Sequence, residues 1–373
     1  MACCVMNRIL HIVAGMDRGG LETFIMNMYR KLNREKFQFD FLVHTKKECA
    51  YNDEIKRLGG RIFYVPSRNK GIINNHKALD EFFRNHKEYR VVHQHLSSLS
   101  YIEPLKYARK YGVSTRVVHS HNTKQGGSPL HKYTHKFNKL FIKSIATHHF
   151  ACSKLAAQWL YPQKQYKSND FKLINNAIDT ENFIFDEKTR ALTRLDLGIS
   201  NRFVLGHIGR FNHQKNHDLL IDIFKEVHDR NPSALLLLVG DGVLRSDIEE
   251  KVRKLGLSED VLFTGIRADI PQLLQAMDTF VMPSYHEGLP VTLIEAQASD
   301  LPCVLSENIT KEVEILNTVR WCSLTDDLSV WAENILSFEK DYVRGNKKKE
   351  IVDAGYDAEN LVLELEKVYS YSL

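Results

Sequence analysis

Short apolar runs alternate with helical stretches along almost the whole chain, and this alternation limits the possible folds more than any other feature. In the first half, strand-like runs lie at 8–14, 37–44, 61–65, 90–94, 115–119, 148–151 and 171–179, with helical spacing near 21–32, 51–58, 73–86, 98–110 and 129–145. The pattern repeats from 203 to 298. It predicts βαβ units, and hence parallel sheets with helices on both faces. Functional residues are expected at the carboxyl ends of the strands.

Two such α/β domains fit the chain, because 373 residues supply enough apolar surface for two full-sized cores. We place the first domain at 1–180 and the second at 181–354, joined by the polar segment 179–201. No apolar run approaches the ~18 residues of a membrane span, and the first residues do not read as a signal peptide. The six scattered cysteines suggest reduced thiols, so we expect a cytoplasmic protein.

The net charge of +5 conceals a strong asymmetry between the halves. Residues 1–180 carry 30 Lys and Arg against 13 Asp and Glu, a charge of +17, whereas 181–373 carry 21 against 33, a charge of −12. A cationic half suits nucleic acid, an anionic membrane or an anionic acceptor such as a lipid diphosphate. Because no nucleic-acid-binding motif accompanies the charge, we expect no nucleic-acid partner. A peripheral contact with the inner face of the plasma membrane, or a lipid-linked acceptor, ranks first.

The stretch from 279 to 298 has the chemistry of a sugar-nucleotide site. A buried strand is followed by a glycine-containing loop and a helix that begins after Pro290. The N–H groups of Leu289, Val291 and Thr292 are therefore predicted to form an anion site. Glu287 in the loop and Glu295 in the helix supply acceptors for hydroxyl groups on either side of it. Two solvated surface glutamates are the alternative interpretation of that pair.

The full string of this stretch, Ser-x-x-Glu-Gly-x-Pro-x-x-x-x-Glu-Ala, resembles the signature of the retaining glycosyltransferases of family 4. Their fold is GT-B, two Rossmann-like domains facing across a cleft, with a final helix that returns to the first domain; here that helix would be within 355–373. By resemblance Glu287 contacts the hydroxyls of the donor hexose and Glu295 the ribose. Gly288 and the N–H groups beside it would face the donor.

Two further segments match the family's donor-binding loops. Gly19 and Gly20 stand at a strand-to-helix turn, where the family places a glycine-rich loop near the donor diphosphate; a tight turn without a ligand is the alternative. Their spacing is not that of a dinucleotide fingerprint, so nicotinamide chemistry is weakly supported. Arg210 and Lys215 follow a predicted strand and precede a helix that Asn216 is expected to cap, so both can point at one anion. They match the family's Gly-Arg followed by Lys, which by resemblance grip the diphosphate.

The base-binding segment matches more loosely. By resemblance, backbone groups at Ile266 and Arg267 read the nucleobase. The chain contains no Asp-x-Asp pair, which metal-dependent transferases of the other major fold use to hold a cation. We therefore expect neither a metal nor another cofactor, with a nucleoside diphosphate sugar, UDP-sugar first, as the substrate.

His119 ends a predicted strand in Arg116-Val-Val-His-Ser-His. On the residues alone a hydrogen-bonded structural histidine is the more common outcome, and His93 and His95 stand near another strand end. The resemblance favours His119 as the active-site histidine, positioning groups and stabilising charge around the anomeric carbon. His121 is the second candidate.

The helical segment 129–145 places lysines at 132, 136, 139 and 143 on one stripe and Tyr133, Phe137, Leu140 and Phe141 on the other side. Two interpretations remain open. Either the apolar side packs in the core and the lysines face solvent, or the helix lies on an anionic membrane surface.

Taken together, these patterns predict a retaining, metal-independent hexosyltransferase that acts on a saccharide or lipid-linked hydroxyl acceptor, with bacterial polysaccharide or glycolipid synthesis as the setting that the resemblance implies. A sugar-nucleotide epimerase or hydrolase of the same fold, and a non-catalytic sugar-nucleotide-binding protein, are the alternatives.

Overall fold

The computed structural model describes residues 6–121, 128–339 and 342–370. The chain divides into two compact units, one made of Met1–Ala177 with Ala358–Leu373 and the other of Ile178–Asp357. Each unit is a parallel sheet covered by helices on both faces, so the predicted α/β architecture of two Rossmann-like units is confirmed.

The first unit has seven parallel strands in the order β3-β2-β1-β4-β5-β6-β7. The strands are β1 (Asn7–Val13), β2 (Phe37–Val43), β3 (Ile62–Tyr64), β4 (Val91–Leu96), β5 (Thr115–Ser120), β6 (His148–Ala151) and β7 (Phe171–Leu173). The helices between them are α1 (Gly20–Lys31), α2 (Asn52–Arg57), α3 (Ile72–Asn85), α4 (Glu103–Lys110), α5 (Pro129–Ile145) and α6 (Lys154–Leu160). All seven residues of β2 are buried, as expected for a strand whose two faces are both covered.

The second unit has six parallel strands in the order β10-β9-β8-β11-β12-β13. The strands are β8 (Phe203–Ile208), β9 (Ala234–Val239), β10 (Val261–Gly265), β11 (Thr279–Met282), β12 (Cys303–Ser306) and β13 (Val319–Cys322). The helices are α7 (Glu187–Asp196), α8 (His217–Arg230), α9 (Arg245–Lys254), α10 (Ile270–Ala276), α11 (Val291–Ala298), α12 (Leu328–Leu336) and α13 (Lys348–Asp353). After β10 the chain crosses to the other side of β8, so β8 and β11 are adjacent. Sheets of this type bind ligands outside the carboxyl ends of the strands at which the order reverses.

Segment 179–201, predicted as a polar linker, belongs to the second unit and is largely helical. A 3-10 turn at Thr180–Phe183 is followed by α7, whose Arg190 and Arg194 donate to carbonyls near the end of α10. The two arginines that contribute to its polar character therefore bind backbone oxygens of the second unit.

The last helix, α14 (Ala358–Ser370), packs on the first unit beside α1 and β1. Its Leu361, Leu365 and Tyr369 are buried in the core on that face of the sheet. The side chain of Asn7 donates to the carbonyl of Tyr369 at 2.8 Å, joining the helix to the first strand. Among the helices of the described ranges, none combines the length and the apolar content needed to cross a bilayer.

Candidate active site

The functional residues predicted in the second unit lie in loops that follow parallel strands of one sheet. Arg210 and Lys215 follow β8, Ile266 and Arg267 follow β10, and Glu287 follows β11. β8 pairs with β11, and β9 lies between β8 and β10, so all three loops leave the carboxyl edge of one sheet, with the β8 and β11 loops side by side. The predicted clustering at a strand edge therefore holds for this unit.

Lys215 and Glu287 form the centre of this edge. The Nζ atom of Lys215 lies 2.9 Å from Oε1 of Glu287, and their side chains are only 15% and 9% exposed. The other carboxylate oxygen, Oε2, accepts a hydrogen bond of 3.1 Å from Nε2 of Gln214. The same Nε2 donates to the carbonyl of His286 at 3.0 Å. One glutamine side chain and one lysine thus fix the orientation of the Glu287 carboxylate.

Further contacts between the two loops extend this arrangement. The backbone N–H of Tyr285 donates to the carbonyl of Gln214 at 2.9 Å. The rings of His213 and Tyr285 stack with centroids 4.7 Å apart. The lysine and the glutamate are therefore carried by two loops that are joined by backbone and ring contacts, which limits how far either residue can move independently.

Asn216 connects these loops in a way that differs from the prediction. It precedes α8, but its side chain makes no capping hydrogen bond to that helix. Its backbone has φ 55° and ψ 48°, in the left-handed region that asparagine tolerates better than most residues. Its Nδ2 instead donates to the carbonyl of Pro283 at 3.1 Å. The predicted helix cap is wrong, and the residue joins the β8 loop to the end of β11.

The loop from Pro283 to Pro290 ends in the helix that was predicted over 291–298, and α11 has those bounds. Ile294 and Ala298 are buried in the core of the second unit. The N–H groups of Val291 and Thr292 stand in the first helical turn, where no intrahelical acceptor is available. A Cβ atom built on Gly288 meets no atom within 4 Å, so open space adjoins the backbone there. The loop that leads into the helix therefore leaves room beside the predicted anion site.

Glu295 lies in the second turn of α11, and its side chain is partly buried. Burial raises the pKa of its carboxyl group to about 7, because desolvation penalises the charged form. The carboxyl group is therefore poised between its two protonation states near neutral pH. It can accept hydrogen bonds from a diol when ionised and donate one when protonated.

The other predicted cations differ in how they are held. Arg210 is exposed and forms no ion pair within the described ranges. Arg267 is already paired, with Nε 2.8 Å and Nη2 2.6 Å from the two oxygens of Asp269. Ile266 is 67% exposed. Arg210 is thus the guanidinium that remains available to an anion, while the segment 266–267 presents its backbone and an exposed side chain.

Two glycines that the sequence interpretation missed bring the β9 loop against the β8 loop. A Cβ atom on Gly240 would lie 2.1 Å from the carbonyl oxygen of Gly209, and one on Gly242 would lie 2.4 Å from that of Phe211. Gly240 also has φ 135°, a conformation that other residues rarely adopt. The signal that was available is a Gly-Asp-Gly sequence directly after a buried strand.

In the first unit, the predicted glycine loop follows β1 and leads into α1. Gly19 is the residue before the helix, and a Cβ atom there would meet only the flexible carboxylate of Glu22, at 2.4 Å. A Cβ atom on Gly20 would meet nothing within 4 Å. Protein packing therefore does not require glycine at position 20, which favours a role in the approach of a ligand.

A cavity of about 320 Å³ adjoins this loop. Gly15, Thr45, Lys46, Lys47 and Tyr64 are among its lining residues. The Nζ atom of Lys46 lies 4.9 Å from the centre of the Tyr64 ring. Lys46 therefore covers the Tyr64 ring, and Lys47 lies 3.6 Å from a carboxylate oxygen of Asp17, so the cavity is lined by cations that already have partners.

Five histidines lie on one face of the first sheet: His11 on β1, His93 and His95 on β4, His119 on β5 and His121 directly after β5. Their rings form two hydrogen-bonded chains. In one, Nδ1 of His11 lies 3.0 Å from Nε2 of His95, whose Nδ1 lies 2.9 Å from Nε2 of His121. In the other, the hydroxyl of Tyr369 lies 2.9 Å from His93, which lies 3.2 Å from Nδ1 of His119. Desolvation lowers the pKa of each of these imidazoles, so they are neutral at pH 7.

His119 and His121 occupy different environments within this cluster. His119 is fully buried and has a hydrogen bond to the backbone of Ile174, whereas His121 is partly exposed at the strand end. Their ring centroids are 3.9 Å apart. The trios His11-His93-His95 and His95-His119-His121 place ligand atoms within 4.8 Å of one another, close enough for a metal. Within both trios, however, ring nitrogens hydrogen-bond to each other, which removes lone pairs from a metal.

Comparison with known proteins covers both units. The family model described as Glycosyltransferase Family 4 matches residues 18–182, and the one described as Glycosyl transferases group 1 matches 193–358. The glycosyltransferase EpsF of Bacillus subtilis (strain 168) is 38% identical over 98% of this chain and 97% of its own length.

Two further comparisons involve proteins named for their substrates or ligands. The UDP-Gal:alpha-D-GlcNAc-diphosphoundecaprenol alpha-1,3-galactosyltransferase of Escherichia coli is 29% identical over 80% of this chain and 78% of its own length. The crystal structure of Anabaena Alr3699/HepE in complex with UDP superposes with a TM-score of 0.76 at 18% identity, covering 98% of this chain and all of that one.

Proposed function

Because the chain belongs to glycosyltransferase family 4 and has the GT-B type of fold, we propose that it moves a hexose-type sugar from a UDP-sugar to a hydroxyl acceptor with retention at the anomeric carbon. The bond from the anomeric carbon to the diphosphate breaks, and a bond from that carbon to the acceptor oxygen forms. The acceptor hydroxyl loses its proton, and UDP leaves. The supporting observation is the ion pair of Lys215 and Glu287 beside the first turn of α11.

The departing diphosphate is the group in which negative charge develops, so its stabilisation is the main electrostatic requirement. Arg210 and Lys215 provide cations at the strand edge, and the N–H groups of Leu289, Val291 and Thr292 provide donors at the helix start. We assign the diphosphate to these groups, in the place that a metal ion occupies in other transferases. A chelator should then leave turnover unchanged, and loss of activity that zinc restores would point to the histidine trios.

Glu287 and Glu295 are assigned to the sugar and the ribose. The Glu287 carboxylate is held from two sides by Lys215 and Gln214, so it accepts hydrogen bonds from the hexose hydroxyls in a fixed orientation. The second-turn position of Glu295 suits the ribose diol. Ile266 and Arg267 are assigned to the base, and Gly19 and Gly20 to the donor diphosphate.

His119 and His121 are assigned to the acceptor and the anomeric carbon. His121, the less buried of the two, is the one that we expect to reach a ligand. His119 contacts it ring to ring and would support its position, while His93 and Tyr369 fix the tautomer of His119. The acceptor is a saccharide or a lipid-linked saccharide, as the name of the E. coli relative suggests, in polysaccharide synthesis at the cytoplasmic face of the membrane.

The experiment is incubation of the purified protein with a panel of nucleoside diphosphate sugars, with and without saccharide and lipid-diphosphate acceptors. Release of UDP that depends on an acceptor, with an α-linked product from an α-linked donor, supports the proposal. Release without an acceptor indicates a hydrolase, and an altered donor sugar indicates an epimerase. Binding without turnover of any donor would show a non-catalytic protein.

A further inference from the structure

Helix α5 buries a partly polar side and exposes its apolar side, which is the reverse of a helix packed in a core. Its buried side chains include the polar His135 and Asn138 along with Ile142 and Ile145. Five large apolar side chains face solvent instead and form an exposed stripe, with exposures between 48% and 73%: Leu130, Tyr133, Phe137, Leu140 and Phe141. Of the two interpretations left open by the sequence, packing of this apolar side in the core is therefore wrong.

Polar contacts on the other side hold α5 in place without the stripe. The backbone N–H of Leu99 donates to Nδ1 of His135 at 3.1 Å, and Nδ2 of Asn138 donates to the carbonyl of Leu99 at 2.7 Å. The His135 ring stacks on Trp159 with centroids 4.4 Å apart. Lys139 donates to the carbonyls of Gln158 and Trp159 at 2.9 and 2.8 Å. The exposed stripe is thus free to contact something other than this unit.

The charge around the stripe has one sign. Lys132, Lys136 and Lys143 are exposed, and none of the three forms an ion pair with another residue in the described part of the chain. The helix contains no Asp or Glu. The neighbouring helix α4 adds Arg109, whose Nη1 donates to the carbonyl of Ser144 at 2.8 Å. Any occupant of the stripe must therefore be both apolar and anionic.

A second copy of the chain fits this surface poorly. Two such helices packed stripe to stripe would bring the lysines of both copies together without any carboxylate on either helix. An anionic bilayer matches both features. Its apolar interior can take the aromatic and leucine side chains, and the phosphates at its surface can contact the lysines, as in other helices that lie at a membrane interface. Exposed patches of this kind on a protein surface mark a binding face.

We propose that α5 is a membrane-docking helix, which inserts its exposed stripe among the acyl chains of an anionic bilayer while Lys132, Lys136 and Lys143 contact lipid phosphates. The helix bonds to Leu99, three residues after β4, so its first half lies at the carboxyl edge of the sheet that also carries His121. Docking brings that edge to the lipid surface. Delivery of a lipid-linked acceptor to the site by this docking rests on the proposed function, whereas the docking itself does not depend on it.

The test is co-sedimentation of the full chain with vesicles of phosphatidylcholine alone or with 30% phosphatidylglycerol, at low salt. We expect binding to the anionic vesicles only. Changing Lys132, Lys136 and Lys143 to Gln should weaken it roughly a hundredfold. Changing Tyr133, Phe137 and Leu140 to Ser should weaken it about tenfold or more. Because all six side chains are exposed, the variants should keep the wild-type melting temperature.

Matched controls change the same residue types elsewhere. Exposed lysines 36, 188 and 349 are changed to Gln, and the exposed Ile72, Ile73 and Val243 are changed to Ser. Full binding by the controls supports the assignment. The proposal is overturned if the wild type binds no anionic vesicles, if the controls lose as much affinity as the α5 variants, or if sizing shows a dimer that only the stripe variants dissociate. Turnover of a soluble acceptor, measured in parallel, separates failure of docking from failure of the transferase activity.

Discussion

Nζ of Lys215 and Oε1 of Glu287 are 2.9 Å apart, and Gln214, the residue before that lysine, binds the other oxygen of the same carboxylate. Two consecutive residues of one loop therefore position a carboxylate of another. A group assigned to the diphosphate and a group assigned to the sugar are thus coupled.

Removal of the lysine should be far more harmful than removal of the glutamine. Lys215→Ala loses the charge assigned to the diphosphate and leaves Glu287 without its counterion, so kcat/KM should fall about 10²- to 10³-fold. Gln214→Ala keeps the charge and should cost about tenfold. Steady-state kinetics with a UDP-sugar measure both, with Lys225→Ala on the exposed face of α8 as the control. If both changes lower kcat/KM by the same factor, the charge of Lys215 does not have the role assigned to it.

The pH dependence of Glu295 predicts a change in stability. Its pKa of about 7 in the folded protein is above the value of about 4.5 in the unfolded chain, so its contribution is fully present below pH 4.5 and lost as pH rises through 7. At pH 8 the loss is about 3 kcal/mol. Glu295→Gln should therefore raise the melting temperature of the unliganded protein at pH 8 and change it little at pH 5. If the difference in melting temperature between variant and wild type is the same at pH 5 and pH 8, the carboxyl group is not desolvated.

Asn216 allows its backbone conformation and its side-chain bond to be tested separately. Asn216→Ala places an alanine at φ 55° and removes the hydrogen bond to Pro283, with an expected loss of about 2–3 kcal/mol. Asn216→Gly accepts the conformation and loses only the bond, about 1 kcal/mol. Urea unfolding of both variants gives the two values. If alanine is tolerated as well as glycine, the left-handed conformation does not limit stability.

The histidine cluster predicts acid sensitivity in the first unit. Because the folded pKa values of its imidazoles lie below the unfolded value of 6.5, their contribution is present above pH 6.5 and lost as pH falls. As the pH falls below 6.5, each histidine lowers the free energy of unfolding by up to about 1.4 kcal/mol per pH unit. Hydrogen exchange in peptides covering β4 and β5, corrected for intrinsic rates, should show falling protection between pH 7.5 and 5.5. His11→Asn should make that fall less steep, and unchanged protection in the wild type would mean that these rings are hydrated or already charged.

His119 and His121 should differ when replaced by alanine. His121→Ala, at the strand end, is expected to lower kcat about 10²-fold with a small change in melting temperature. His119→Ala should lower the melting temperature as well, because it leaves a cavity and breaks the bond to His93. Kinetics and thermal unfolding of both variants decide the assignment. A fully active His121→Ala would return the active-site role to His119 alone.

The elements that could be predicted are those whose signal is local. The strands and helices around β11 and α11 followed from apolar runs broken by Pro283, Gly288 and Pro290, and α11 has the predicted bounds. The short strands β12 and β13 were not assigned, because no alternating pattern was recognised after 298 and runs of four residues have no clear periodicity of their own. The chemistry of Arg210, Lys215 and Glu287 was accessible from the sequence because each follows a strand of one sheet.

Contacts between distant segments were not predictable in the same way. Nothing near Asn216 indicates that its side chain bonds to Pro283, and helix spacing alone favoured a cap. The face of α5 that is buried was also ambiguous, because the partners of His135 and Asn138 lie at Leu99, more than 30 residues away. The clustering of His11 with His95 depends on strand order, which places β4 beside β1.

Tyr369 has a consequence for the order of folding during synthesis. Its ring and hydroxyl complete the core under β1 and β4, yet the ribosome makes it only after the whole second unit has been translated. The first unit must therefore wait, with part of its apolar surface uncovered, while the second can fold as soon as its own segment has emerged. A released chain truncated after Asp357, which lacks only the last helix, should accordingly hold a folded second unit and a first unit that proteases still cut.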